Sequence, residues 1–197
     1  MLILNFNYFL TNIHNRQPSK TPSRAPSGSP TSRPTCPVPI YYSDRVAFDA
    51  ATGGGLSFES FEQDFASGSP RVFTDFTVSE SGGANVLLQL RNLGPGFAGL
   101  SNAFTDGTGA IYYSDNGNSI ATFFDFSTPI TAFGIDVTTS RARAITVGGS
   151  SIVDSFTAAV NTPQFWGVIA CNGITQVTFD VSGDPNVGFD SASYGEL

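Results

Sequence analysis

The chain has 197 residues, 40% of them hydrophobic and only 13% charged, with 18 Phe and 21 Gly but one Met, one Trp and one His. Charge is split along it: residues 1–35 hold Arg16, Lys20, Arg24 and Arg33 and no acid, while the rest holds five arginines, no lysine and all 16 acids, a net charge of −11. A folded part of that sign repels phosphate backbones, which argues against nucleic acid as its partner, and with His14 far upstream it offers neither a His-dependent triad nor a Cys/His zinc site.

Met1–Leu10 is apolar, but it carries Asn5 and Asn7, lacks a positive leading region and is followed by no clear small-residue cleavage site. It is also too short to span a bilayer. Residues 1–16 therefore read as a poor signal peptide, the remnant of one, or a mis-called start. No later stretch approaches transmembrane length, so no transmembrane segment is expected.

Residues 17–35 place Pro at 18, 22, 26, 30 and 34, a four-residue period with Ser or Thr beside each ring. Proline removes a backbone donor and biases its predecessor to extended geometry. With nothing apolar to bury, the stretch cannot offset its ordering entropy and reads as a disordered, polyproline-like linker. The period resembles the Pro-Ser tracts of diatom and other algal surface proteins.

The domain is expected over 36–197. Ser43 to Ala51 is its one convincing helix, with Ser43 as cap, Asp44 in the first turn and Val46 with Ala50 as the apolar face, ended by Gly53-Gly54-Gly55. Beyond it the pattern turns to period two or short apolar runs between turn residues. Strands are predicted near 56–62, 71–79, 85–91, 109–113, 119–127, 130–138, 143–147, 151–156, 164–170, 174–182 and 187–194. Gly148-Gly149 predicts a tight hairpin between Val147 and Val153, and Asp115-Asn116-Gly117 and Asp184-Pro185-Asn186 further turns. Many short strands and one helix predict an all-β, two-sheet antiparallel sandwich, a jelly roll.

Cys36 and Cys171 allow one intrachain pairing. A disulfide in a secreted protein and two free thiols both remain open.

From Tyr42 onward a set of motifs runs Tyr42-Ser43-Asp44-Arg45-x-x-Phe48-x-Ala50, Ser57-Phe58-Glu59, and Phe123-x-Asp125-Phe126 through Phe133-Gly134-Ile135-Asp136. It closes with Phe165-Trp166-Gly167, Ile174-x-x-Val177-Thr178-Phe179 and Phe189-Asp190-x-Ala192-x-Tyr194-Gly195. This resembles the β-sandwich ectodomain of bacterial surface proteins of the PEP-CTERM, exosortase-sorted kind. The resemblance implies an extracellular jelly roll and supplies no activity. It does not extend to a C-terminal Pro-Glu-Pro signal, since the sequence stops at Leu197.

Acids are the candidates for chemistry. Glu59 and Asp190 fall in the first and last strands of the resemblance, neighbours in many jelly rolls, and related sugar-binding sandwiches hold a structural cation there. Uncompensated carboxylates suit hard Ca²⁺, so Glu59 and Asp190, with Glu62 as alternate, are the expected metal ligands; Asp44, Asp115 and Asp184 are weaker additions. The same pair could serve glycoside hydrolysis. Tyr112-Tyr113, between Gly-rich turns, is the expected ligand site, because a ring with a polar tip can stack on a sugar face. Trp166, in a continuous apolar run, reads as core. Two functions follow: a structural or binding module of an extracellular matrix, with cell-surface polysaccharide as partner, or a small glycan-active hydrolase or lyase on the same fold. The lack of Lys and His in the domain favours the first.

Overall fold

The computed structural model describes residues 38–63, 70–81, 87–89, 100, 105–106, 110–114, 121–183 and 186–197. The N-terminal segment, the Pro-rich stretch, Cys36 and the turns holding Asp115 and Asp184 lie outside them.

Two long strands organise the molecule. The strand Ala121–Thr139 (β7) and the strand Gln164–Asp180 (β10) pair antiparallel along most of their length. Each was expected as two separate strands. They run on because the chain bends without breaking. In β7 the exposed Ser127-Thr128-Pro129 marks the bend, and in β10 the register shifts between Ile169 and Gln176, beside Gly173 at φ 79°. Proline within a sheet belongs at such irregularities.

The bends divide the pair between two packed layers. In the first layer, Phe76–Glu80 (β4) pairs with the N-terminal half of β7, and Arg71–Val72 (β3) pairs with β4. Arg143–Gly149 (β8) pairs with the C-terminal half of β10, and Ile152–Ala158 (β9) closes that edge. In the second layer, Asn186–Gly195 (β11) pairs with the C-terminal half of β7, and Ile40–Tyr42 (β1) with the N-terminal half of β10. Ser57–Glu59 (β2), Ile111–Ser114 (β6) and Leu87–Gln89 (β5) extend it beyond β11. The result is an antiparallel β-sandwich.

Alternation sends Phe124, Phe126, Val177 and Phe179 inward from the first layer, and Phe133, Ile135, Trp166, Val168 and Phe189 inward from the second. Ring contacts cross between the layers: Phe124 meets Phe189 at 5.5 Å and Trp166 meets Phe179 at 5.5 Å. Such edge-to-face pairs each add roughly 0.5–1.5 kcal/mol beyond area burial. Trp166 is 1% exposed, and its indole N–H donates to Asp154 Oδ2 at 2.8 Å, so its polar atom is satisfied.

The helix Arg45–Thr52 (α1) is capped by Asp44, not Ser43: Asp44 has extended dihedrals and its side chain accepts from Ala47 N–H at 2.8 Å. Its buried residues are Phe48 and Thr52, and Val46 is 76% exposed, so the apolar face assigned to Val46 and Ala50 is corrected. The β8–β9 hairpin is also one step off. Gly149 pairs with Ile152, so Ser150-Ser151 form the turn, with Ser151 at φ 74°. Gly149 is needed for another reason: a Cβ there would lie 2.1 Å from the Gln176 carbonyl. The predicted 71–79 strand is a hairpin, β3 and β4, closed by Phe73 N–H on the Phe76 carbonyl at 2.8 Å.

Candidate functional site: the two outward sheet faces

The second layer's outward face is covered by α1. Gly134 and Gly167 sit opposite each other on β7 and β10. A Cβ on Gly134 would meet Phe165 at 2.7 Å and Phe48 at 3.0 Å, and one on Gly167 would meet both rings at 2.9 Å. The two glycines thus open the hole that Phe48 and Phe165 fill, ring centroids 5.4 Å apart. From the first turn of α1, Arg45 reaches Asp136 at 3.1 Å, the Ser191 carbonyl at 2.6 Å and Ser193 Oγ at 3.3 Å, and lies 4.6 Å over Phe165. Arg45, Phe48, Gly134, Phe165 and Gly167 thus form a clamp between helix and sheet.

Beside that clamp, β11 bulges between Asp190 and Ser193, with Ser191 at φ 54°. Asp190 is 1% exposed. Its Oδ2 accepts from Thr105 N–H at 2.6 Å and Thr105 Oγ1 at 3.1 Å, and its Oδ1 from Ser191 N–H at 2.8 Å. Asp106 hydrogen-bonds to the same carboxyl. Burial, then the neighbouring Asp106 charge, push Asp190 up to about 7 against the N–H bonds that hold it down, and burial raises Asp106 too.

This geometry changes the expected cation site. Glu59 and Asp190 do lie on adjacent strands, since β2 pairs with β11 at Glu59–Ala192. Their oxygens are turned to different donors, however: Glu59 accepts from Phe61 N–H at 2.7 Å and from the Gln63 amide at 3.4 Å. The charge of Glu62 acts on Asp106. Among the described residues no three carboxylate, imidazole or thiolate side chains gather as a metal would need. The hydrolytic pairing of Glu59 with Asp190 fares no better, because Asp190 is enclosed.

The expectation at Tyr112 is corrected as well. Tyr112 is 1% exposed and its hydroxyl donates to Asn186 Oδ1. A ring so buried has no face to offer a sugar. The side chain of Tyr113 lies outside the described residues. Cys171 is disulfide-bonded, and no described cysteine is free.

The first layer's outward face is different. Register places Ser79, Phe123, Thr178 and Gly148 in one row across β4, β7, β10 and β8, and Thr77, Asp125 and Gln176 in the next. Phe123 is partly exposed and touches no other described ring, unlike the inward Phe124 and Phe126 that follow it. The Gln176 amide donates to Asp125 Oδ1 at 2.6 Å, and Thr178 Oγ1 donates to Gln176 Oε1 at 3.3 Å. That chain fixes the amide and leaves Asp125 Oδ2 without a donor among the described residues. A Cβ on Gly148 would meet nothing within 4 Å, so the face stays flat there.

At one end, where the β3–β4 turn meets the bend of β7, the face runs into an open pocket of about 310 Å³. Its lining mixes the edges of Phe73, Phe76 and Phe126 with Thr74, Thr77, Asp125 and Ser127. The turn is pinned by Ser127, whose N–H and hydroxyl both donate to the Asp75 carbonyl at 2.9 Å, and by Tyr194, whose hydroxyl donates to Asp75 at 3.1 Å. Burial and that bond push Tyr194 up to about 12.

Sequence reasoning missed Phe123 and Asp125. The signal was the period of two in Phe123-Phe124-Asp125-Phe126, which puts one Phe on the opposite face from its neighbours.

No family model matches the chain, and no curated protein matches it. Among solved structures, a family 29 carbohydrate-binding module mutant complexed with mannohexaose is 11% identical, covering 72% of this chain and 94% of its own, at a TM-score of 0.39. A family 29 carbohydrate-binding module from Piromyces equi is 8% identical, over 73% and 93%, at 0.39. A family 6 module, CsCBM6-3 from Clostridium stercorarium in complex with cellobiose, is 17% identical, over 72% and 95%, at 0.35.

Proposed function

We propose that this β-sandwich is a non-enzymatic, glycan-binding module of an extracellular surface or matrix, and that it binds through the outward face of β4, β7, β10 and β8. The observation that carries the reading is Phe123: a partly exposed ring with no aromatic partner among the described residues, set among hydroxyls and an ordered Asp125–Gln176 pair. A sugar presents an apolar ring face and a polar rim, which matches a ring flanked by fixed acceptors and donors. Short side chains and Gly148 keep the surface low enough for an extended chain to lie across it.

The outside setting has separate support. Cys171 is bonded, and we take Cys36 as its partner; structural disulfides persist in oxidising compartments. The Pro/Ser-rich stretch would hold the module away from a wall or membrane, as the resemblance to exosortase-sorted surface proteins suggests. Among the described residues no helix is long and apolar enough to cross a membrane.

Affinity electrophoresis against a panel of soluble polysaccharides tests the proposal. At least one polysaccharide should retard the parent protein, and Phe123→Ala should weaken that retardation about tenfold while leaving the melting temperature near the parent's. Retardation unchanged in Phe123→Ala removes the face from the proposal.

A further inference from the structure

Around Asp125 the Phe123 face is richer in acceptors than in donors. The Gln176 amide donates to Asp125 Oδ1 at 2.6 Å, and Asp125 Oδ2 has no donor among the described residues. Two nearby hydroxyls have their hydrogens committed: Ser127 Oγ donates to the Asp75 carbonyl at 2.9 Å, and Thr178 Oγ1 to Gln176 Oε1 at 3.3 Å. A hydroxyl has one hydrogen and two lone pairs, so toward a ligand both of these can only accept. Asp125 and Ser127 also line the open pocket of about 310 Å³ at this end of the face, with Thr74 and Thr77. The rows across β4, β7, β10 and β8 hold no Lys or Arg. Arg45 is tied to Asp136 on the other layer, Arg143 to the Val181 and Ser182 carbonyls, and Arg71 has Nε and Nη2 buried.

Resting on the glycan-binding reading, we infer that Asp125 is a specificity-determining residue and that the glycan carries free primary amines, as a chain of 2-amino-2-deoxyhexose does. An ammonium brings three donors and no acceptor, the complement of an edge that accepts and carries negative charge. Phe123 and Asp125 stand two residues apart on one face of β7, about 7 Å along the strand. A sugar stacked on Phe123 therefore brings its own amine, or that of the next residue, within reach of Asp125 Oδ2. N-acetylation removes the charge and two of the three donors and adds a carbonyl acceptor. A uronate or sulfate would present acceptors alone and meet a like charge.

Calorimetric titration of the full chain with three trisaccharides of one linkage tests this: 2-amino-2-deoxyhexose, its N-acetyl form and the plain hexose. The parent should bind the amino trimer about fivefold more tightly than either of the others. Asp125→Asn, whose side-chain oxygen can still accept from Gln176, should bring the ratio of amino to plain affinity close to one. Asp49→Asn removes the same charge from an exposed position on α1 and should keep the fivefold ratio, because it leaves the face untouched. A ratio that survives Asp125→Asn overturns the inference, and so does a ratio that Asp49→Asn lowers as far, since the attraction would then be to net charge alone. An amino trimer bound no more tightly than the plain one by the parent overturns it without any variant and leaves the glycan face standing. Binding of none of the three, together with no retardation in any gel of the polysaccharide panel, overturns the glycan reading and this inference with it.

Discussion

The sandwich has two outward faces cut from the same two strands, and they are built in opposite ways. On the C-terminal half of β7 and the N-terminal half of β10, two glycines make a hole and aromatic rings from α1 and β10 fill it. On the other halves the outward row reads Phe123, Asp125, Gln176 and Thr178, and the glycine in register, Gly148, faces open space. A glycine in a strand therefore carries two meanings here. At 134 and 167 its missing Cβ is another residue's seat, and at 148 it keeps a surface low.

The sharpest way to break the comparison is to put a side chain where the rings sit. Gly134→Val must displace Phe165 and Phe48, the latter fully buried, and it should cost about 1–3 kcal/mol by overpacking. Urea unfolding measures it. The loss should reach Arg45 too, since Phe165 lies under its guanidinium. A variant as stable as the parent would mean that α1 is not seated on this face.

A smaller and pH-dependent effect belongs to the acids beside the clamp. Asp190 is held up to about 7 in the folded chain against 3.8 for the free group, burial first and Asp106 after. Between those values the folded state keeps a proton that the unfolded state has lost. Stability from this group is therefore fully present below about 4 and falls as pH rises to about 7. Asp106, raised by its own burial with Glu62 adding and Arg45 opposing, acts in the same direction. Asp180 opposes it, because its bond from the Ser182 hydroxyl lowers it, so its contribution is lost only in acid. The melting temperature should fall from pH 5 to pH 8, and Asp190→Asn should flatten that slope. Repeating the pH 8 scan with EDTA and then Ca²⁺ asks whether a cation can take the proton's place. A Ca²⁺-dependent rise in the parent that is absent in Asp190→Asn would restore a calcium role to Asp190, with Asp106 rather than Glu59 beside it.

Much of the architecture was legible because it depends on local pattern. Period-two runs, short apolar runs and turn residues were enough to indicate a β-sandwich with one helix. What escaped was set by tertiary contacts. Nothing local distinguishes Ser43 from Asp44 as cap, and the choice falls to whichever side chain faces Ala47 N–H. Val46 looked like core beside Ala50, yet the face α1 buries is fixed by the Gly134–Gly167 hole, which Phe48 enters beside Phe165. Tyr112 sat between Gly-rich turns, as an exposed ring would, but pairing of β6 with β11 carries it inside. Asp190 was expected to share a cation with Glu59. Its partner is Asp106, which only the bulge at Ser191 and the Thr105 hydrogen bonds bring into reach.

The smallest expected effect is at Gly148, and it tests the open face most directly. Gly148 pairs with Thr178 on one side and Val153 on the other, in the middle of the first layer. Strand glycines are weak because they are floppy in the unfolded chain and have nothing to pack. A residue added here meets no atom within 4 Å and needs no unusual backbone, so Gly148→Thr should leave stability within about 0.5 kcal/mol of the parent or raise it slightly. The same substitution lifts a branched side chain beside Thr178, one strand from Phe123, into the path of a glycan lying across the row. Affinity for whichever polysaccharide the parent binds should therefore drop while the melting temperature does not. That is the reverse of the Gly134→Val signature. A large loss of stability at Gly148 would show that the face is covered as the other one is, and Phe123 would then be packing rather than platform.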